Sequence, residues 1–112
     1  MVRELQPQVI IDNRLEASGQ GYGSLATGNP TPYHGDFVSP EQIIPPHGIR
    51  DVNGDPLNWE ACITMNNNWG YCARDKFFKP SSMIIKKLVE CVSKGGNMLL
   101  NVGPRCIWKH SA

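Results

Sequence analysis

Residues 82–102 read SMIIKKLVECVSKGGNMLLNV and hold the strongest structural signal in the chain. In the first half, apolar side chains recur at intervals of three and four, which predicts an amphipathic helix over about Ser82–Lys94. Gly95 and Gly96 predict its end, because glycine readily takes the left-handed conformation that closes a helix. Met98–Val102 is then apolar at almost every position, as in a strand buried on both faces of a parallel sheet. A helix, a glycine cap and a buried strand make half of a βαβ unit.

The predicted helix has two contrasting faces. The side chains expected to pack on the core are Ile84, Ile85, Leu88, Cys91 and Val92. The charged side chains on the other face are Lys86, Lys87, Glu90 and Lys94. Opposite charges on that face stand at i,i+4 spacing, which stabilises an exposed helix surface.

Two strand candidates precede the helix. Trp59–Met65 is apolar and is followed by a polar turn and then by Trp69. Val9–Ile11 is a short β-branched run that we expect to be a buried strand. In parallel sheets functional groups gather at the carboxyl ends of strands, so Arg14, Trp69 and Asn101 should meet at one rim.

The predicted fold class is α/β, with about three strands, one long helix and long loops. Residues 15–58 show little periodicity and many glycines and prolines, so they are expected to form the loops above that rim. A chain of 112 residues is too short to close an eight-stranded barrel. The expected architecture is therefore an open slice and not a closed barrel.

Composition excludes several classes of function. Apolar residues make up 40% of the chain and charged residues 19%, as in globular proteins. The net charge is +1 and only Lys86 and Lys87 form a basic pair, which argues against nucleic acid as a partner. No run of 18 apolar residues occurs, so no membrane span is expected.

The four cysteines have no spacing typical of zinc sites, and no metal is expected. Cys91 lies on the apolar helix face and Cys62 within an apolar run, so both are expected to be buried free thiols. The even number permits disulfides without requiring them.

Residues 34–41, HGDFVSPE, concentrate a histidine, two carboxylates and an aromatic ring in eight positions. Their spacing alone is typical of a helix start. Ser39 suits the N-cap, Pro40 the first helical position, and Gln42 would complete a capping box. Glu41 would then lie in the first turn, where the helix dipole favours a carboxylate.

Four blocks, VIIDNR, GDFVSPEQ, WEACITMNNNWGY and LVECVSKGGNMLLNVGP, resemble the α-L-fucosidases of glycoside hydrolase family 29. They occur in the order typical of that family and extend from about Leu5 to Pro104. The run SKGGN-LLN-GP is the most specific of them. The resemblance implies a (β/α)8 TIM-like barrel, of which this chain would be a slice, in an enzyme that removes α-linked L-fucose from glycoconjugates with retention of configuration.

Retaining hydrolysis uses two carboxyl groups about 5–5.5 Å apart, one as nucleophile and one as acid/base. By the resemblance, Glu41 is the catalytic acid/base, and the capping box would hold the local backbone that orients its side chain. Asp36 is a competing carboxylate, expected instead to shape the turn through an Asx-type bond. No cofactor is implied, and the implied partner is a fucosylated glycan.

Arg14 and Trp69 are the substrate-binding residues that the resemblance implies. Arg14 would orient sugar hydroxyls or the catalytic carboxylates, and the alternative is a structural ion pair. Trp69 would cover the apolar face of fucose, and the alternative is a core tryptophan. Trp59 is interpreted as a core residue. Glu60 is interpreted as a residue that contacts the site residues and not the substrate.

The loop histidines His34 and His47 receive no role. The family's nucleophile aspartate lies upstream of the VIIDNR block, and no aspartate precedes Asp12 here. The isolated chain is therefore expected to be inactive. Two alternatives stay open: a non-catalytic carbohydrate-binding or structural protein of similar fold, and a different retaining hydrolase.

Residues 105–112, RCIWKHSA, depart from the family after the block that ends at Pro104. Read one nucleotide later, their codons can spell D-A-Y-G-N-I-P, which resembles the turn with which the family continues. The sequence therefore divides into 1–104, the C-terminal part of a fucosidase barrel, and 105–112, a tail consistent with a shifted reading frame. The compartment is not predicted, since family members are typically secreted, periplasmic or lysosomal.

Overall fold

A computed structural model describes residues 2–15, 35–51 and 53–105 of the chain. The helices are α1 (Val2–Leu5) and α2 (Ser81–Ser93), with a 3-10 turn at Asn13–Leu15. The strands are β1 (Glu60–Thr64) and β2 (Asn97–Asn101). The tail from 106 to 112 and the stretch from 16 to 34, with His34, lie outside the described residues.

Strands β1 and β2 pair in parallel, with Glu60 opposite Asn97 and Thr64 opposite Asn101. Helix α2 connects them and packs against β2. A parallel pair needs such a crossover, because a tight turn cannot return the chain to the same end of the sheet. The predicted α/β unit of strand, helix and strand is confirmed.

Two extended segments continue this sheet through single-residue parallel bridges. The segment that contains Glu41 is bridged to β1 at Glu41–Cys62 and to the residue just before β1 at Val38–Trp59. The segment that ends at Arg14 is bridged to it in turn at Asp12–Phe37. Four neighbouring chain segments therefore run in one direction, although only two of them are regular strands.

Helix α2 begins after Pro80, whose extended backbone forms the N-cap without a side-chain hydrogen bond. It ends in a Schellman motif, in which Gly96 N–H donates to the Cys91 carbonyl (2.9 Å) and Gly95 N–H to the Val92 carbonyl (3.1 Å). Gly95 has φ +76°, the left-handed conformation that glycine adopts without a Cβ penalty. The predicted glycine cap is confirmed.

The core is small and lies between β1 and α2. Its buried apolar members are Val38, Trp59, Ala61, Ile63 and Cys91. A Cβ on Gly96 would lie 2.2 Å from an atom of the Trp59 ring, so the helix cap doubles as the surface on which the indole packs. Trp59 is a core residue, as predicted.

The predicted strand at Val9–Ile11 is wrong. Ile10 is 73% exposed and the run forms no regular strand, so the part of the chain that the structure describes holds two strands where about three were expected. β2 is likewise not buried on both faces, since Leu99 is 50% exposed. Side chains alternate across a strand, and only the face toward α2 is covered in the described part of the chain.

The predicted packing of the helix is correct only in part. Cys91 is fully buried and Ile84 partly so. Ile85, Leu88 and Val92 are exposed. The periodicity of the sequence predicts that a broad apolar stripe of the helix is buried. The described elements bury only a narrow part of that stripe.

Candidate functional site

The carboxyl ends of the four parallel segments meet along one line, here named the carboxyl edge and made up of Arg14, Glu41, Gln42, Thr64 and Asn101. Arg14 is hydrogen-bonded to Glu41, and Gln42 to Thr64. Thr64 in turn stands opposite Asn101 in the β1–β2 register. The prediction that Arg14 and Asn101 share a rim is confirmed.

Arg14 uses different nitrogens for two partners. Nη1 donates to Glu41 Oε2 at 3.2 Å, and Nη2 donates to the Ser39 carbonyl at 3.0 Å. The 3-10 turn that carries Arg14 is fastened by Asp12, whose Oδ1 accepts the Arg14 N–H. The Arg14 and Glu41 side chains are 38% and 28% exposed, so both stay accessible to a ligand.

The predicted capping box is wrong. Ser39 to Glu41 is extended backbone that is bridged to β1 at Glu41, not the start of a helix. The Gln42 amide bonds Thr64 instead, and Gln42 has φ +61°. Local spacing cannot reveal this, because the pairing partner of the segment lies about twenty residues farther along the chain. Gln42 and Thr64 are thus edge residues that sequence reasoning missed.

Cys62 lies directly beside Glu41 in the sheet and is partly buried. Burial raises the pKa of its thiol, while nearby Arg14 lowers that pKa and Glu41 raises it. The thiol therefore stays protonated near neutral pH and is a poor nucleophile. Cys72 and Cys91 are also free thiols, and burial raises the pKa of Cys91.

Asp36 points to a different set of partners. Its Oδ2 accepts the Ile11 N–H at 2.7 Å and an Arg3 guanidinium N–H at 2.8 Å. The Ile11 bond, supported by Arg3 and opposed by desolvation, lowers the pKa of Asp36. Asp36 thus has a structural role, although through distant partners and not through the local turn bond that was predicted.

Trp69 lies on the loop after β1 and is 40% exposed, so it is not a core tryptophan. Its carbonyl accepts the Asn101 amide N–H at 2.6 Å, which ties the loop to the carboxyl edge. A Cβ on Gly103 would lie 2.7 Å from the Gly70 carbonyl carbon, so only glycine allows this approach. The ring is left available for an apolar ligand surface.

The loop that carries Trp69 is organised by Asp75. Its carboxylate accepts the Asn67 and Phe77 backbone N–H groups, at 2.8 and 3.0 Å, and the Asn68 amide at 2.8 Å. The Asn67 bond has the largest effect and lowers the pKa of Asp75; desolvation opposes it, and the Phe77 and Asn68 bonds lower that pKa further.

A cavity of about 510 Å³ opens at the other end of the sheet. It is lined by Arg3, Asp36 and Glu60 among others, and by none of Arg14, Glu41 and Trp69. Glu60 therefore faces this cavity and not the carboxyl edge where we expected it to support the site.

Within residues 2–15, 35–51 and 53–105, no three His, Cys, Asp or Glu side chains are grouped as a metal site would need. No helix in the same part of the chain is long and apolar enough to span a bilayer. His47 is exposed and stays without a role.

A family model described as Alpha-L-fucosidase matches residues 1–106. Tissue alpha-L-fucosidase of Homo sapiens is 37% identical over 76 residues, which cover 64% of this chain and 15% of that protein. Among solved structures, alpha-L-fucosidase isoenzyme 1 from Paenibacillus thiaminolyticus is 53% identical with a TM-score of 0.76. That match covers 94% of this chain and 24% of the other.

A second solved relative is a GH29 alpha-L-fucosidase from Bacteroides thetaiotaomicron, with 29% identity and a TM-score of 0.68. It was solved as a trapped covalent intermediate with 2-fluoro-fucosyl fluoride, in a mutant with glutamine in place of glutamate. The match covers 94% of this chain and 24% of that one. The chain thus spans about a quarter of the length of these solved relatives.

Proposed function

The chain belongs to the α-L-fucosidase family, and we propose that it is the part of a retaining α-L-fucosidase that carries the catalytic acid/base, Glu41. The observation behind the proposal is the Arg14–Glu41 pair at the carboxyl edge, the location at which parallel α/β enzymes hold their active sites. The Bacteroides relative, in which a glutamate-to-glutamine mutant trapped the covalent intermediate, supports a glutamate in this role.

The chain would supply one stretch of a (β/α)8 barrel. Four parallel segments in consecutive order, with α2 on one face of their sheet, match what such a stretch would contain. The remaining strands, with the nucleophile aspartate, would come from sequence outside the four family blocks. The division into residues 1–104 as barrel and 105–112 as a frame-shifted tail remains part of this proposal.

In the proposed mechanism Glu41 protonates the glycosidic oxygen as the aspartate attacks the anomeric carbon, and it then deprotonates the water that releases fucose. Arg14 donates to Oε2 of Glu41 and holds that oxygen in place, which leaves Oε1 to face the leaving group. Trp69 packs on the apolar face of the sugar, beside its methyl group.

The isolated chain should not hydrolyse fucosides. Retaining hydrolysis needs both carboxyl groups, and a chain without the nucleophile lacks the covalent route. The measurement is release of 4-nitrophenol from 4-nitrophenyl α-L-fucopyranoside by the purified 112-residue chain. Turnover that copurifies with the chain through two orthogonal columns would contradict this.

The role of Glu41 is tested in a chimera, here named the fucosidase chimera, in which residues 2–104 replace the matching segment of the Paenibacillus enzyme. Glu41→Gln should slow substrates with poor leaving groups by about 100-fold or more, because these need the proton most. For aryl fucosides with good leaving groups, the rate of the first step should fall less. Added azide should restore the rate at which the glycosyl-enzyme intermediate breaks down.

The matched control is Glu90→Gln, the same change on the exposed face of α2, where Glu90 pairs with Lys94. It should leave the rate on both kinds of substrate unchanged. Equal losses for good and poor leaving groups in Glu41→Gln, or the absence of azide rescue, would exclude Glu41 as the acid/base.

A further inference from the structure

Gln42, the residue after Glu41, has a left-handed backbone with φ +61°. Residues with a Cβ avoid this region because the Cβ approaches a backbone carbonyl oxygen. Such a conformation persists only where its surroundings hold it, and it is found preferentially at functional sites. The question is what holds Gln42.

Three hydrogen bonds fasten Gln42 to β1. Its N–H donates to the Cys62 carbonyl at 2.9 Å, and its Nε2 donates to the Thr64 hydroxyl at 2.8 Å. Its Oε1 accepts the Thr64 N–H at 3.3 Å. Only this orientation of the amide satisfies both Thr64 contacts, since a backbone N–H cannot accept.

Thr64 is itself fixed. It is 1% exposed, and its hydroxyl donates to the Asn66 carbonyl while it accepts from Gln42 and from Lys79 Nζ, the latter at 3.3 Å. Lys79 Nζ also donates to the carbonyls of Thr64 and Asn66, at 2.6 and 3.2 Å. The hydroxyl thus uses its one donor and both of its acceptor sites.

We infer that Gln42, Thr64 and Lys79 form a clamp that positions Glu41 for proton transfer. The inference rests on the proposed role of Glu41. The main chain before Glu41 is fixed by the Cys62 N–H, which donates to the Pro40 carbonyl at 2.9 Å, and the clamp fixes the main chain after it. With both flanking peptides held, the Cα–Cβ direction of Glu41 is set, and Arg14 needs only to orient the carboxylate.

A purely structural role would predict something different, namely a loss of stability without selectivity between substrates. Replacement of Gln42 by glycine separates the two roles. Glycine adopts φ +61° without a Cβ penalty, so Gln42→Gly relieves backbone strain while it removes both side-chain bonds to Thr64. The change in Tm and the change in kcat of this variant are therefore expected to be independent of each other.

The test is made in the fucosidase chimera. Gln42→Gly should lower kcat about 10-fold or more for fucosides with poor leaving groups and less than about 3-fold for good ones, with KM within about 2-fold. Its Tm should not fall by more than a few degrees. Thr64→Val should give the same selective loss, and Thr64→Ser, which retains the hydroxyl, should restore kcat.

An equal loss on both kinds of substrate, a change in KM alone, or a lower Tm with unchanged kcat would overturn the clamp. Glu41→Gln is measured in parallel. If it shows the dependence on the leaving group and Gln42→Gly does not, the clamp is wrong and the proposed function stands. If Glu41→Gln lacks that dependence, the proposed function fails, and the clamp fails with it.

Discussion

Arg14 joins two groups of different kind, a carboxylate that would take part in the chemistry and a main-chain carbonyl that does not. Separate nitrogens of one planar guanidinium reach Glu41 and the Ser39 carbonyl. The planar guanidinium fixes the angle between these nitrogens. It therefore fixes the position of the Glu41 carboxylate relative to the main chain at Ser39. A lysine would offer the same charge from a single atom on a flexible stem.

Arg14→Lys should therefore lower kcat/KM of the fucosidase chimera by about 10-fold, and Arg14→Met by more, because the first change keeps the charge and the second does not. Steady-state kinetics on one aryl fucoside measures both. The control is Arg50→Lys, on an exposed arginine bonded to the Gly54 carbonyl, which should leave the rate unchanged. Arg14→Lys at the wild-type rate would show that the two-point geometry is dispensable.

Asp75 gives the Trp69 loop a dependence on pH. Its pKa is lower in the folded chain than in the unfolded one, so the ionised carboxylate stabilises the loop above the unfolded value of about 3.9. That stabilisation is lost as the pH falls through the lower folded value. Protection of the Asn67 and Phe77 amides from hydrogen exchange, relative to their intrinsic rates, should decline below about pH 4.

Asp75→Asn is the matched control in the same chimera. Its amide oxygen cannot gain or lose the proton, so protection of Asn67 and Phe77 should be reduced and independent of pH across this range. Protection in the wild type that stays constant down to pH 3 would contradict the assigned cause.

At the level of the element, the end of α2 shows two glycines with different tasks. Gly95 supplies a left-handed turn, and nothing lies within 4 Å of a Cβ built on it. Gly96 supplies space, since its Cβ would overlap the Trp59 ring. The left-handed backbone limits which residues can replace Gly95, and the packing of the Trp59 ring limits which residues can replace Gly96.

Gly95→Ala should lower the free energy of unfolding by about 1 kcal/mol, the penalty of a left-handed alanine. Gly96→Ala should lower it by about 3 kcal/mol or more, because the buried indole has to move. Urea denaturation of the fucosidase chimera measures both, with Gly54→Ala as a second exposed left-handed site for comparison. A larger effect at Gly95 than at Gly96 would reverse this interpretation.

Elements with strong local signals were predictable from the sequence. Helix α2, its glycine cap and both strands follow from periodicity, which acts over neighbouring residues. The segment from Ser39 to Gln42 was misjudged because its spacing fits a capping box, whereas the bridge at Glu41–Cys62 holds Ser39 to Glu41 extended beside β1. Val9–Ile11 is β-branched like a strand, yet only a single bridge follows it, at Asp12.

At the level of the whole molecule, the described residues leave much apolar surface in water. Five apolar side chains form the buried core, and exposed large ones include Ile85, Val89, Leu99 and Val102. The radius of gyration is 17.0 Å, against about 13 Å for a compact chain of this length. The outer edge of β2 also has no neighbouring strand in the described part of the chain.

The isolated 112-residue chain should therefore unfold without a sharp cooperative transition, bind the dye ANS and aggregate at micromolar concentration. Calorimetry and light scattering test this, with the intact fucosidase chimera as the folded reference. A single sharp transition of a soluble monomer, with equal calorimetric and van't Hoff enthalpies, would contradict it.

The candidate site was predictable only where the family blocks carried the information. Arg14 and Glu41 were identified from those blocks, and their hydrogen bond requires two segments 27 residues apart to lie side by side. Gln42 and Thr64 were missed because neither the composition nor the spacing of these residues indicates the pairing between them. Side-chain pairs across a sheet depend on register, and the two members of this pair are 22 residues apart in the chain, beyond the reach of a local pattern.

The position of Glu41 along β1 has a consequence for the evolution of this family. It depends on main-chain atoms of Cys62, whose N–H and carbonyl bond Pro40 and Gln42. Mutation replaces side chains and leaves those atoms in place, so position 62 is free to drift among small residues while its neighbour keeps its place. Proline is excluded at position 62 even so, because it lacks the N–H that donates to the Pro40 carbonyl.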